Sequence, residues 1–292
     1  MENSRSFQQE SSAYRGTVRT LRLIVRNPLT ASGLIILSMI VIAAIFQAQL
    51  VPYDPLELDL ENRLAPPSSA HWLGADNFGR DIFSRIIYGA RISVLLTLSV
   101  VFCGMALGSL LGILAGYTGG WGEEIVMRVT DIFMAFPAIL LAMLIVTALE
   151  PSVFNAGLTL VIIGWPEYTR VIRAQTLSIM QKEFVLAADS IGANDRRIML
   201  KHILPNCIGP LIVQATLNLG VTTLSLAALG FLGLGAQAPM PEWGLMISNG
   251  REFFLDAWWC PVFPGFAIAL NVLAFNFLGD GLRDILDPRM RR

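Results

Sequence analysis

Charge is what this sequence has least of. Asp, Glu, Lys and Arg make up 15% of its 292 residues, whereas a soluble globular chain carries about a quarter. So few charges cannot cover a water-facing surface, while 54% hydrophobic residues and a mean hydropathy of +0.60 suit lipid. A formal net charge of −1 supplies no concentrated basic face, so nucleic acid is not a partner. Histidine is reduced to His71 and His202, with no HExxH or similar spacing, and no metal is expected. The three cysteines, Cys103, Cys207 and Cys260, lie far apart without a CxxC pair and read as small apolar fillers of helices. Lysine occurs only at Lys182 and Lys201, neither preceded by glycine. The GxxxxGK[ST] loop that cradles ATP phosphates is therefore absent.

Long apolar runs take the place of charge. A hydrocarbon core about 30 Å thick needs roughly 20 apolar residues in a helix, and six stretches qualify: 31–50, 93–116, 132–149, 152–172, 208–235 and 260–279. The third is read as continuous despite Pro137, and the fourth loses its apolar character near Trp165. In lipid each backbone N–H and C=O must be paired within its own segment, so these runs predict an all-α integral membrane protein. The first run begins too late and is too long for a signal-peptide core, and reads as an uncleaved span. Basic residues set the direction. With the N-terminus inside, segments 1–30, 117–131, 173–207 and 280–292, together with Arg170, hold 16 of the 21 Lys and Arg residues. Both termini are thus expected in the cytoplasm, as tails 1–30 and 280–292 flanking a membrane domain over 31–279. Segments 51–91 and 236–259 fall outside, the latter with Trp258 and Trp259 placed for an interfacial aromatic belt.

Within the spans, Gly104, Gly108, Gly112 and Gly116 recur every fourth residue and predict close approach of a second helix. Gln214, Asn218, Thr222 and Ser225 fall at i, i+4, i+8 and i+11, a polar stripe that avoids lipid. Interhelical packing is the plainer reading of that stripe, and the wall of a translocation path the sharper one. Glu167, Arg170 and Arg173 are spaced to pair along the cytoplasmic end of the fourth span. No ionisable residue is placed in the middle of a span, which weighs against a proton- or voltage-driven carrier.

The segment "LAADSIGANDRRIMLKHILPN", residues 186–206, is a charged insert between two oily runs. "EFVLAADSIG" predicts a helix closed by Gly192 at the position after the cap. "NDRRIMLKHIL" predicts a second helix, capped by Asn194, with Asp195 in its first turn, stopping at Pro205. Two short helices meeting at a glycine make a knob whose charges suit an aqueous groove on another protein.

The order of residues in this knob resembles the cytoplasmic loop signature of ABC importer permeases, Glu-Ala-Ala, three residues, Gly, nine residues, Ile, one residue, Leu-Pro. The chain matches at Ala187, Ala188, Gly192, Leu204 and Pro205, and departs at Leu186 and His202. "LGADNFGRDIFSRIIYGARISVLL", "MRVTDIFMAFPAILLA", "LAALGFLGLGAQAPMPEWGLM" and "FPGFAIALNVLAFNFLGDGLRDILDP" are similar to the second, or C, permease subunit of dipeptide, oligopeptide and nickel importers. The resemblance implies a type I importer permease fold in a bacterial inner membrane. It also implies a homologous permease partner, in a heterodimer, and two ATPase subunits that bind ATP and Mg. An extracytoplasmic solute-binding protein would meet the outer face, and Asp195 and Arg196 would join the matched residues in coupling to the ATPases. Peptides are the default solute, with nickel chelates, opines and glutathione as alternatives.

Two rival readings remain at this stage. A membrane enzyme would need clustered acids or histidines, and Asp76 and Asp81 beside Arg80 and Arg85 are the nearest such group. Asp–Arg structural pairing is the plainer account of that cluster, with contact to the binding protein second, a role also assigned to Glu242 and Trp243. An ion-coupled carrier lacks its mid-span charge.

Overall fold

The computed structural model describes residues 27–286. Most of the expected tail 1–30, and residues 287–292 of the expected tail 280–292, lie outside those residues. The described chain is helical, with no strand beyond an isolated bridge between Ala75 and Asp81.

Helix α1, Pro28–Ile45, starts under an Asn27 cap whose Oδ1 accepts the Leu29 N–H at 3.1 Å, with proline at its first position. A single turn, Gln47–Leu50, follows. Helix α2, Ile82–Thr118, has 37 residues, or about 55 Å at 1.5 Å per residue. It begins well before the expected span because Asp81 caps it, accepting the Ser84 N–H at 2.8 Å, so residues 82–92 are helix rather than loop. Helices α3, Gly120–Ala135, and α4, Ala138–Leu149, replace the expected continuous third span and meet at 95°. The cause is Pro137, which offers no N–H and drives Phe136 into the extended region at φ −94, ψ 143.

Helix α5, Val153–Met180, is 28 residues long. It runs eight residues beyond the expected fourth span, through Arg173, and accommodates Pro166 internally. After it come α6, Glu183–Ser190, and α7, Asp195–Phe231. The expected stop at Pro205 does not occur. Residues Met199–Ile203 are wound as π-helix, and this wider turn carries the Lys201 carbonyl away from the proline ring that would otherwise strike it. Helix α8, Trp243–Gly250, and α9, Trp259–Leu286, complete the chain. Four helices (α1, α2, α7 and α9) are long and apolar enough to cross a membrane, and the bent α3–α4 pair is a fifth if counted as one span. Helix α5 has the length, about 42 Å, but carries Glu167, Arg170 and Arg173.

The most extensive helix contact joins α2 to α5. A Cβ added at Gly108 would stand 2.5 Å from the Trp165 carbonyl oxygen, and one at Gly112 would stand 2.7 Å from that of Thr169. Backbones approach so closely that the Thr169 hydroxyl donates across to the Gly108 carbonyl at 3.1 Å. Glycine spacing in α2 thus does the packing work expected of it. A second cluster closes one end of the bundle, where Trp243 lies fully buried and donates from Nε1 to the Ile86 carbonyl at 3.0 Å. Between α2, α7 and α9 the Thr97 and Thr223 hydroxyls meet at 3.3 Å, and Asn271 Nδ2 donates to Thr223 at 3.3 Å. This buried polar knot has no sequence periodicity to announce it.

Candidate functional site

The knob between α5 and α7 is built from local rules. Gly192 holds φ +75. Its N–H donates to the Asp189 carbonyl at 2.9 Å, and the Ala193 N–H to that of Ala188 at 3.1 Å. Those two bonds form a Schellman closure of α6. Asn194 Oδ1 then accepts the Arg196 N–H at 3.0 Å and starts α7. Inward, Val185, Ile198 and Ile203 pack with Ile172, Ile179 and Cys207, and Ala188 is buried. The Tyr117 hydroxyl, at the end of α2, donates to Asp195 Oδ1 at 2.8 Å. The knob is therefore fastened to α2, α5 and α7 rather than hanging free.

Its outer face carries the expected charges, Asp189, Arg196, Arg197 and Lys201 all being exposed, together with apolar groups. Ala187, Gly192, Asp195, Arg196 and Pro205 are exposed and Leu204 is half-buried, but Ala188 points inward. Beside them stand Phe184, Leu186 and Ile191, all exposed, Ile191 to 85%. Exposed apolar side chains set among exposed charges such as Lys182, Asp189 and Arg196 suit a protein-binding surface. In α6, Val185 and Ala188, three residues apart, share the inward face, while Phe184 and Leu186 stay exposed.

From the knob, α7 continues without a break into the polar stripe. Gln214, Asn218, Thr222 and Ser225 are all half-buried along one side. Gln214 Nε2 donates to Asn218 Oδ1 at 3.2 Å, and Asn218 Nδ2 donates to Glu167 Oε2 of α5 at 3.0 Å. The Ser225 hydroxyl bonds back to the Val221 carbonyl at 2.9 Å. The expected pairing among Glu167, Arg170 and Arg173 is not formed. Arg170 instead reaches Asp131 at 2.6 Å, and Arg173 pairs with Glu123, because α3 lies against the second half of α5. Glu167 is left as a carboxylate half-way along α5, exposed on the stripe side. Its depth went unrecognised in the sequence because hydropathy falls long before the helix ends.

At the opposite end the second group of expected contact residues proves to be interior. Arg80, Asp81, Glu242 and Trp243 are buried and offer no surface to a partner. Asp76 accepts from Arg80 Nε at 2.7 Å, and His71 Nδ1 lies 3.0 Å from Asp81 Oδ1. Glu242 caps α8, accepting the Gly244 and Leu245 N–H groups at 2.9 Å each. Burial pushes its carboxyl above the usual carboxylate range, opposed by those two bonds. Arg85, also buried, donates to the Pro55 carbonyl at 2.7 Å and the Pro239 carbonyl at 3.3 Å. Structural pairing is thus what these charges do. Exposed residues of these segments include Trp72, Phe78, Phe254, Leu255 and Trp258. Of the expected aromatic belt only Trp258 is exposed, since Trp259 turns inward and its Nε1 donates to the Ala75 carbonyl at 3.3 Å.

Residues 108–292 match the family model of the binding-protein-dependent transport system inner membrane component. Residues 18–67 match that of the N-terminal TM domain of oligopeptide transport permease C. The chain is 48% identical, over 91% of its length and 88% of the relative's, to the dipeptide transport system permease protein DppC of Alkalihalophilus pseudofirmus. It is 44% identical, over 92% of its length and 90% of the relative's, to the glutathione transport system permease protein GsiD of Pectobacterium atrosepticum. Among solved structures, an inward-facing form of the MetNI methionine ABC transporter shares the fold at a TM-score of 0.55 and 18% identity, covering 70% of this chain and 96% of that one. A bent-helix membrane bundle with a fastened knob and a polar stripe, matched over most of its length, belongs to the inner membrane components of binding-protein-dependent transport systems: the chain is a multi-pass permease subunit of an ABC importer, a transporter part rather than an enzyme.

Proposed function

We propose that this chain forms half of an import path for di- or oligopeptides, the other half being a homologous but distinct permease. Two ATPase subunits bind ATP and Mg, and each grips one permease at a knob such as that of residues 183–205. In this chain Phe184, Leu186 and Ile191 supply the apolar anchor, and Gly192, Asp195 and Arg196 set its shape and rim. Both termini and the knob face the cytoplasm, following the distribution of Lys and Arg. Segments 51–81 and 236–258 face outward and receive a solute-loaded binding protein, chiefly through Trp72, Phe78 and Leu255 rather than the buried charges. Nucleotide chemistry belongs to the ATPases, since the chain has no phosphate-cradling loop.

The observation that carries this reading is mechanical. Helix α7 runs from Asp195 to Phe231 as one helix, with a π-turn at Met199–Ile203 and Pro210 inside it, so the knob and the residues Gln214 and Asn218 belong to one element through which a displacement can pass. Coupling needs a discrete element that two sites bias, and a helix shared by both supplies it. Glutathione import is the second reading, favoured by the relative at 44% identity; glutathione is itself a peptide with a free α-amine. The test is co-expression with the ATPases and binding protein in proteoliposomes. Peptide-loaded binding protein should stimulate ATP hydrolysis and uptake, and a membrane-impermeant thiol reagent should reach Ser190→Cys only from the cytosolic side. Nucleotide hydrolysis by the isolated chain, or labelling of residue 190 from outside, refutes the assignment.

A further inference from the structure

Glu167 is the one charged group on α5 that α3 does not neutralise among the described residues. Its neighbours one and two turns on, Arg170 and Arg173, are occupied by Asp131 and Glu123. Counting back from Met180 at 1.5 Å per residue, Glu167 sits about 20 Å from the end of α5, at the middle of the helix. Its Oε2 accepts from Asn218 Nδ2 at 3.0 Å, and no other hydrogen bond to the carboxylate is formed among the described residues. The side chain remains exposed, facing the half-buried stripe of Gln214, Asn218 and Thr222. An ionised carboxylate at membrane depth is costly against lipid and persists where it faces water or a cationic partner. Among the described residues no cation pairs with Glu167.

We infer that Glu167 receives the α-ammonium group of the substrate as it passes along α7. A carboxylate with free acceptor capacity is the complement of an alkylammonium, forming charge-assisted hydrogen bonds of about 2.7–2.9 Å. Asn218 fixes the rotamer of Glu167 by donating to one oxygen and leaves the other for the ligand. Gln214 in turn donates to Asn218 and holds the Asn218 carboxamide in place. Negative charge at this depth also discriminates, favouring solutes that carry an amine over purely anionic ones. The site deepens the peptide-import reading and rests on it.

The chemistry permits a test that separates charge from structure. Glu167→Gln removes the charge but keeps a carbonyl oxygen that can accept from Asn218, whereas Asn218→Ala removes the hydrogen bond and keeps the charge. With the complete transporter in proteoliposomes and a binding protein loaded with a free-amine dipeptide, Glu167→Gln should lower uptake at least 10-fold. The concentration of loaded binding protein giving half-maximal rate should not change. Glu167→Asp should restore part of the loss, and Asn218→Ala should cost less than Glu167→Gln. Wild-type uptake by Glu167→Gln, or an equal loss in Glu167→Gln and Asn218→Ala, overturns the inference. Failure of the wild-type transporter to respond to any dipeptide-loaded binding protein would instead overturn the peptide reading, whatever the variants do.

Discussion

Gly192 offers the sharpest perturbation of the knob. Its φ of +75 lies in the left-handed region, and a Cβ built there meets nothing within 4 Å. The cost of a side chain is therefore conformational rather than steric. For an L-residue it amounts to about 1–2 kcal/mol, which lowers the equilibrium constant for the native turn roughly 5- to 30-fold. A β-branched residue suffers more, and asparagine, which tolerates this region, suffers least. Gly192→Val should thus reduce binding-protein-stimulated ATP hydrolysis and uptake in proteoliposomes, with Gly192→Ala intermediate and Gly192→Asn near wild type. The melting temperature of the detergent-solubilised chain should barely move, since the spans do not depend on this turn. If Asn is as damaging as Val, then space at the docking face rather than backbone conformation decides the effect. If Val transports normally, the knob is not the element the motor grips.

Three further perturbations test separate parts of the architecture. Gly108→Leu forces a Cβ to within 2.5 Å of the Trp165 carbonyl oxygen and should part α2 from α5, lowering the melting temperature and the yield of folded chain, with a cost of at least 1–3 kcal/mol. Arg85→Met keeps the stem but strands the Pro55 and Pro239 carbonyls that the guanidinium serves. At roughly 1–3 kcal/mol for each buried group left unpaired, protease cleavage within segment 51–81 should accelerate while the knob end stays protected. Tyr117→Phe deletes the 2.8 Å bond to Asp195 at a cost of about 1 kcal/mol, and should raise hydrogen exchange at the start of α7 more than it lowers global stability.

What could be read in the sequence was what neighbouring residues decide among themselves. The closure at Gly192, the cap at Asn194 and the glycine seam of α2 each follow from backbone rules spanning a few positions, and each is found. Proline was harder because its effect depends on what the surroundings allow. Pro137, expected to be tolerated, turns the chain by 95°, whereas Pro205, expected to end a helix, is absorbed by a π-turn. Tertiary burial was hidden altogether. Asp81, Glu242 and Trp243 looked like surface groups in a loop, yet two of them cap helices and the third fills the core. The position of Glu167 is hidden for a related reason: the hydropathy drop near Trp165 places it at the end of a span over 152–172, whereas α5 continues to Met180 with Arg170 and Arg173 paired to another helix.

The Arg85 guanidinium, sealed between the chain before α2 and the chain before α8, ties those two segments together through the Pro55 and Pro239 carbonyls. Any motion that separates them strands both acceptors, so an opening at this end that keeps the two bonds carries the pair of segments along as one body.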